Sequence, residues 1–241
     1  MTLDQFVALS ASLAACASAV ATFLTIRQMA KQREASYRPE LAFSTTHFEG
    51  SSATDGQLPD NWIVWTPRSE PSNNQRELEI PLHNVGLGAA RDISLTWSFP
   101  IERTVEEANA LAQQALVPAY LTFEKGMLSI TSDSLGKWMS MWKNQQHISM
   151  DFVLPASIPK ESLALRLPHA YIQLCSALVY FAAHIEKRET FPAFPSLTAK
   201  LEYQDIGGTR HEADFEFTVD LESFSGKGEV IYGTVECRKL A

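Results

Sequence analysis

Leu197-Thr-Ala-Lys-Leu-Glu-Tyr203-Gln-Asp205-Ile-Gly-Gly208-Thr-Arg-His-Glu-Ala213-Asp-Phe-Glu-Phe-Thr-Val-Asp-Leu221 alternates apolar and polar side chains on either side of a Gly-Gly pair. Side chains of a strand point to opposite faces with a period of two. Leu197, Ala199, Leu201 and Tyr203, then Ala213, Phe215, Phe217, Val219 and Leu221, therefore share one buried face. Two such runs joined by a short glycine-bearing link predict an antiparallel hairpin, with Gly207 and Gly208 supplying positive φ at the turn. A last strand over Glu229 to Cys237 sets Ile231, Val235 and Cys237 on one side, which extends the hairpin to an antiparallel sheet.

Working upstream, Leu78, Ile80 and Leu82 alternate with polar residues, and so do Ile93, Leu95, Trp97 and Phe99. Between them lies Asn84-Val-Gly86-Leu-Gly88. This predicts a second hairpin, with a turn that needs φ > 0 at Gly86 or Gly88. A dinucleotide-binding loop is excluded, because the segment that follows has period two, whereas a phosphate loop must open a helix. Further strands are predicted at 39–47, 61–66, 146–154 and 161–167, and 50–74 reads as a long polar loop around Trp62-Ile-Val-Trp65.

Helical rhythm appears in the middle of the chain. Thr104-Val-Glu-Glu107 has the form of a capping box with Thr104 as N-cap, opening a helix to about Leu116. Ser134 to Asn144 is predicted as another helix, and Pro168 to Lys187 as the longest, with Pro168 at its first position. The uncharged stretch of that third helix, Ala170 to Ala183, is only 14 residues long and suits burial better than membrane crossing. The fold class expected from these elements is a mainly antiparallel β-sandwich, immunoglobulin-like, over residues 39–241, with helical insertions at about 104–145 and 168–188.

The N-terminal segment differs from everything that follows. Phe6 to Ile26 is an uncharged run of 21 residues with Asp4 before it and Arg27, Lys31, Arg33 and Arg38 after it. At about 1.5 Å per residue the run covers roughly 30 Å, the hydrocarbon thickness of a bilayer. A secretory signal would need cations before its apolar core, and a soluble surface helix would need a charged face. The segment therefore predicts a single transmembrane helix at 6–26. Positive charge is retained on the cytoplasmic side, so residues 1–5 are expected outside the cytoplasm, 27–38 as a basic juxtamembrane stalk, and the domain inside. The stalk cations Arg27, Lys31, Arg33 and Arg38 are placed to meet lipid headgroups. Within the span, Phe6, Leu9, Leu13, Cys16, Val20 and Phe23 form a large-residue stripe. Ala8, Ala11, Ala15, Ser18, Thr22 and Thr25 form a small-residue stripe on the opposite side, which suits close helix packing and self-association.

Charge and cysteine usage narrow the function classes. The chain has 20 Lys and Arg against 28 Asp and Glu; without the four cations and two anions of residues 1–38 the balance is 16 to 26, a net −10. A domain this acidic repels phosphate backbones, so nucleic acid is not an expected partner. Cys16, Cys175 and Cys237 are far apart and odd in number, which gives neither a disulfide framework nor a CxxC metal pair. The six histidines, at 47, 83, 147, 169, 184 and 211, show no ligand spacing, and neither metal nor cofactor is predicted. Cys175 stands mid-helix among apolar residues, where a thiol is inert. No Gly-x-Ser-x-Gly elbow is present. The densest group of titratable side chains is Tyr203, Asp205, Arg210 and His211 around the Gly207-Gly208 turn; turn chemistry accounts for it, and a hydrolase would have to be built there.

The single span, the stalk ending Ser36-Tyr-Arg-Pro39-Glu-Leu41, the segment Leu82-His-Asn84-Val-Gly86-Leu-Gly88-Ala-Ala90, and Phe191-Pro-Ala-Phe-Pro195-Ser-Leu followed by Tyr203-Gln-Asp205-Ile-Gly207-Gly208 together resemble a group of uncharacterised bacterial inner-membrane proteins. The resemblance implies a cytoplasmic β-sandwich on a membrane tether, and no activity comes with it. The function expected is a non-catalytic interaction or sensing module at the cytoplasmic face of the inner membrane, acting on a membrane-protein partner or a second copy of itself. A self-associating membrane effector, its spans assembling when the domain senses a signal, is the alternative.

Overall fold

The computed structural model describes residues 3–52, 57–65, 77–133, 135–158, 163–185 and 192–240, with the backbone alone described at 3–11, 33–36 and 227. The terminal hairpin forms as its alternation dictates. Strands β11 (Leu197–Gln204) and β12 (Arg210–Ser225) pair from Leu197↔Phe217 to Gln204↔Arg210. Of the two glycines at the turn only Gly208 takes positive φ, at +84°. Strand β13 (Val230–Lys239) adds to β12, and β2 (Thr46–Ser51) and β3 (Asn61–Val64) continue the sheet on that side. On the other side β5 (Ala90–Ser98) and β9 (His147–Val153) complete seven antiparallel strands in the order β3-β2-β13-β12-β11-β5-β9.

The large sheet buries one face only. Leu95, Trp97, Leu201, Phe215, Phe217 and Ile231 are among its inward residues. On the other face Lys200 reaches Glu202 and Glu212 at 3.0 and 3.1 Å, and Arg238 meets Glu216 at 2.8 Å. A three-stranded sheet of β1 (Leu41–Phe43), β4 (Glu79–Asn84) and β10 (Leu163–Arg166) has the order β1-β4-β10. Phe43 of β1 meets Phe215 and Phe217 edge-on at 5.0 and 4.9 Å, which brings this small sheet against the large one.

This arrangement corrects the second expected hairpin. β4 and β5 do not pair; they lie in different sheets, and the link between them carries the chain from one to the other. Residues 39–47 likewise form two strands, β1 and β2, one in each sheet.

Helix α2 (Ile101–Gln114) starts before the expected capping box. Its N-cap is Pro100, and Thr104 lies one turn inside, buried, with Oγ1 donating to the Pro100 carbonyl at 2.8 Å. Glu107 pairs with Arg103 at 2.9 Å instead of reaching back to the cap. The helix expected at 134–144 is replaced by sheet. Strands β6 (Ala119–Glu124), β7 (Met127–Ser132) and β8 (Gly136–Met141) form a meander, and only Trp142–Gln145 is helical, α3. Trp138 and Met141 fit helical spacing in sequence, but cross-strand pairing with β7 wins and sends Met139 and Met141 outward. Helix α4 (His169–Ala183) is buried at every position from Ala170 to Ala182. Pro168 lies just outside it, its carbonyl accepting from the amides of Tyr171 and Ile172. Residues 186–191, which include the expected helix end, lie outside the described residues.

Helix α1 (Leu3–Ser36) is continuous through the apolar run and the basic stretch after it. At about 1.5 Å per residue its 34 residues reach roughly 51 Å. The stretch Ser12–Gln32 is long and apolar enough to cross a membrane, and none of it is buried against the domain.

The position of Thr104 can be tested. An N-cap tolerates glycine with a loss of a few tenths of a kcal/mol, whereas a buried threonine inside a helix also loses its packed methyl and its side-chain bond. Thr104→Gly is expected to cost more than about 1 kcal/mol in denaturant unfolding of the full chain, from a few tenths of helix propensity together with the buried methyl and the bond to the Pro100 carbonyl.

Candidate functional site

The place where α1 meets the domain is built from residues far apart in sequence. Asn84, at the end of β4, is 1% exposed and uses both ends of its carboxamide. Its Oδ1 accepts from the amides of Glu40 and Gly86 at 3.0 and 3.1 Å. Its Nδ2 donates to the carbonyls of Gly88 and Val153 at 2.6 and 3.2 Å. The Val85 amide adds a bond to the Glu40 carbonyl at 2.7 Å. One side chain thus ties together the end of the stalk, the link between the sheets, and β9.

Gly86 and Gly88 take part for a reason other than the one expected. Neither has positive φ. A Cβ on Gly86 would lie 2.3 Å from the Arg38 carbonyl oxygen, and one on Gly88 only 1.6 Å from that of Tyr37. The glycines are there because residues 37–40 pass directly over them. Arg38, Pro39, Glu40, Leu87, Tyr203 and Lys239 line a polar hollow of about 320 Å³ at this joint. The Tyr203 hydroxyl donates to the Pro39 carbonyl at 3.5 Å. Burial raises the Tyr203 phenol, Arg38 opposes that shift and Glu40 adds to it.

Three of the four residues of the expected polar cluster come together. The His211 Nε2 lies 3.0 Å from Asp205 Oδ2, the Thr209 amide donates to Asp205 Oδ1 at 2.9 Å, and the Tyr203 and His211 rings stack at 5.3 Å. The His211 bond chiefly, with Thr209, holds the Asp205 carboxyl below its usual range. Arg210 stands apart and exposed, opposite Gln204. The cluster stiffens the β11–β12 turn and, through Tyr203, backs the joint.

A second concavity escapes sequence reading. About 580 Å³ of cleft opens at the start of α4, with Asp60, Trp62, Trp138, Arg166 and His169 in its walls. Asp60 comes from an irregular segment and has no periodic pattern to mark it. Its carboxylate is nearly buried, accepts from the Gln173 amide at 3.5 Å, and lies 3.9 Å from His169 Nε2. Desolvation raises its pKa, more than Gln173 and His169 lower it. Trp62 Nε1 and Ser176 Oγ both donate to the Pro59 carbonyl, at 2.9 Å each, which fixes the segment leading into the cleft.

Burial pushes the Cys175 thiol well up, and that of Cys237 to about 12, so neither is poised as a nucleophile. Among the described residues no group of His, Cys, Asp and Glu could hold a metal ion. In the span, Ala15, Ser18, Thr22 and Thr25 are exposed, while the side chains of Ala8, Ala11 and Arg33 lie outside the described residues.

The fold is an apolar N-terminal helix followed, through residues 37–40, by a mainly antiparallel sheet domain. The chain belongs to the family described as Domain of unknown function (DUF8453), whose model matches residues 6–225. No curated protein matches the chain, and no solved structure does.

Two outcomes follow from this geometry. Asn84→Ala would leave four backbone groups without their partner, and is expected to cost at least about 3 kcal/mol in denaturant unfolding of the full chain, given 1–3 kcal/mol per unmet buried group. Asp60→Asn is expected to raise the melting temperature at pH 7. The wild-type carboxyl titrates above its unfolded value of 3.8, so wild-type stability falls as pH rises through the folded pKa. The difference between the two proteins should shrink as the pH is brought down toward 4, near the unfolded value of 3.8. A difference independent of pH would remove Asp60 desolvation as its cause.

Proposed function

We propose that the protein is a membrane-tethered interaction or sensing module, carried by one inner-membrane span, with its β-rich domain on the cytoplasmic face and no catalysis of its own. The observation that carries this reading is the exposed apolar helix α1 together with the built joint that fixes it to the domain. A helix held only by a flexible linker would not need Asn84, Gly86 and Gly88 in these places. The cations of the stalk follow the span, which supports a cytoplasmic domain. The family model takes in both the helix and most of the domain, in keeping with the two acting as a unit. The contacts of Phe43 with Phe215 and Phe217 support reading the domain as a sandwich of immunoglobulin-like type.

The expected partners are the membrane itself and a membrane protein or second copy. The small stripe supports the last, because small side chains let a second backbone approach closely, and its Thr22 and Thr25 hydroxyls donate back to the carbonyls of Ser18 and Ala21 at 2.9 Å each. Nucleic acid is not a partner of a domain with this net charge.

The test is alkaline extraction of membranes from cells expressing the full chain, with protease added outside spheroplasts. The full chain should stay with the membrane and its domain should be protected. Ala17→Arg combined with Val20→Arg, each costing about 2.5–3.5 kcal/mol of insertion at a span centre, should release it. A wild-type chain found in the soluble fraction, or a domain cleaved from outside, would overturn the reading.

A further inference from the structure

One carboxylate in the wall of the cleft at the start of α4 is left short of partners by the fold. The Asp60 side chain is 9% exposed, so little water reaches it. Its donors stand far off, with Gln173 Nε2 at 3.5 Å and His169 Nε2 at 3.9 Å, beside its own backbone amide. A charge-assisted N–H···O⁻ bond closes to about 2.7–2.9 Å. Gln173 is itself 1% exposed, and its Oε1 has no hydrogen-bond partner among the described residues. Each of these is a cost to folding, and folds retain such costs where a site is needed.

The other charges nearby do not make up the shortfall. Arg166 is taken by Glu77 at 2.6 Å and by Glu79 at 3.5 Å. Among the described residues at the cleft, Asp60, Glu77 and Glu79 outnumber Arg166 by two with His169 neutral, and by one with it protonated. The balance is negative in either state. The start of α4 does not reverse it, because the Ala170 amide donates to Gln145 Oε1 at 3.2 Å and those of Tyr171 and Ile172 to the Pro168 carbonyl. Those three amides are therefore not open to an anion. The remaining walls are apolar, with Trp62, Trp138, Ile148 and Ile172. Trp62 Nε1 donates to the Pro59 carbonyl and Trp138 Nε1 to the Leu135 carbonyl, at 2.9 and 2.8 Å. Both indoles thus bring ring surface, which attracts cations, and no free donor.

We propose that this cleft binds a small organic cation, a primary ammonium on an apolar or aromatic body, whose N–H groups donate to the Asp60 carboxylate while the body lies against Trp62, Trp138, Ile148 and Ile172. The ammonium supplies the close, charged donors that Asp60 lacks. A quaternary ammonium has no N–H to give, and an anion meets the carboxylate excess. The volume of about 580 Å³ is that of a small-molecule site, for which roughly 300–1,000 Å³ is usual. The site gives the sensing reading a class of ligand, and it stands whether or not α1 anchors the chain.

The test titrates 2-phenylethylamine into the full chain in detergent micelles and reads tryptophan fluorescence. Three analogues keep the body and change the head: 2-phenylethanol, the N,N,N-trimethyl ammonium and 3-phenylpropanoate. The amine should give a saturable response, and each analogue should bind at least about tenfold more weakly, the loss of one hydrogen bond to a charged group. Asp60→Asn should weaken the amine by at least about tenfold and leave the alcohol unchanged. Asn61→Lys, at an exposed position of the same wall, should weaken the amine by setting a competing ammonium in the cleft. Thermal unfolding checks that each variant is folded, and the analogue series with Asn61→Lys decides the matter even if Asp60→Asn folds poorly. No saturable response to the amine, or an unchanged affinity in folded Asp60→Asn, would overturn the proposal. An alcohol that binds equally would reduce the cleft to an apolar hollow, an equal trimethyl ammonium would remove donation to Asp60, and an equal carboxylate would remove the charge argument. Each of these also overturns it. Membrane extraction reads none of these outcomes, so loss of the ligand site and loss of anchoring are distinguished.

Discussion

The Asn84 carboxamide is the constraint on which the remaining geometry depends. It satisfies two donors and two acceptors from three separate stretches of chain, and a buried amide cannot give up any of them cheaply. Because the Glu40 amide is held there, β1 enters its sheet in the register Leu41↔Asn84. Because the Gly88 and Val153 carbonyls are held there too, β5 and β9 start and end at that same level of the large sheet. Residues 37–40, which follow α1, are thereby tied to the core.

The large sheet supplies a rigid base for this joint. Its inner face is filled by Trp97, Phe217 and their neighbours, with Trp97 and Phe217 edge-on at 5.3 Å, and its outer face is an ion-paired, solvated surface. Surface pairs of this sort contribute little to stability. The described hollows at the rim near α1 and at the start of α4 lie off this face.

The terminal hairpin was legible because Leu197 to Leu221 offers period two over both strands with a glycine turn between, a pattern that only one local structure satisfies. Helix α4 was legible from its uncharged length. The link at Asn84 to Gly88 was not, since one letter, glycine, serves both positive φ and close backbone approach; which applies depends on what passes overhead, here residues 37–40. The Ser134 to Asn144 stretch failed for a related reason. Trp138, Met141 and Trp142 fit a helical face as well as they fit a strand and its end, and β7 decides between them. Tyr203, Asp205 and His211 were grouped correctly by proximity in sequence, whereas Asp60 and His169 meet only through the fold and gave no local sign.

The burial of α4 from Ala170 to Ala182 bears on how the protein is made. Its apolar surface is covered in part by residues that come later in the chain: Pro195 accepts the Tyr171 hydroxyl, and Gly228 packs on Tyr180 and Ala183. Until the last part of the chain emerges from the ribosome, that part of the α4 surface stays uncovered. Its 15 residues rise about 22 Å, short of the hydrocarbon thickness. By length and composition Ser12–Gln32 of α1 could cross a membrane, whereas α4 is short and lies in the core. The pairing of β2 with β13, which joins Thr46 to Val235, likewise needs the last strand of the chain.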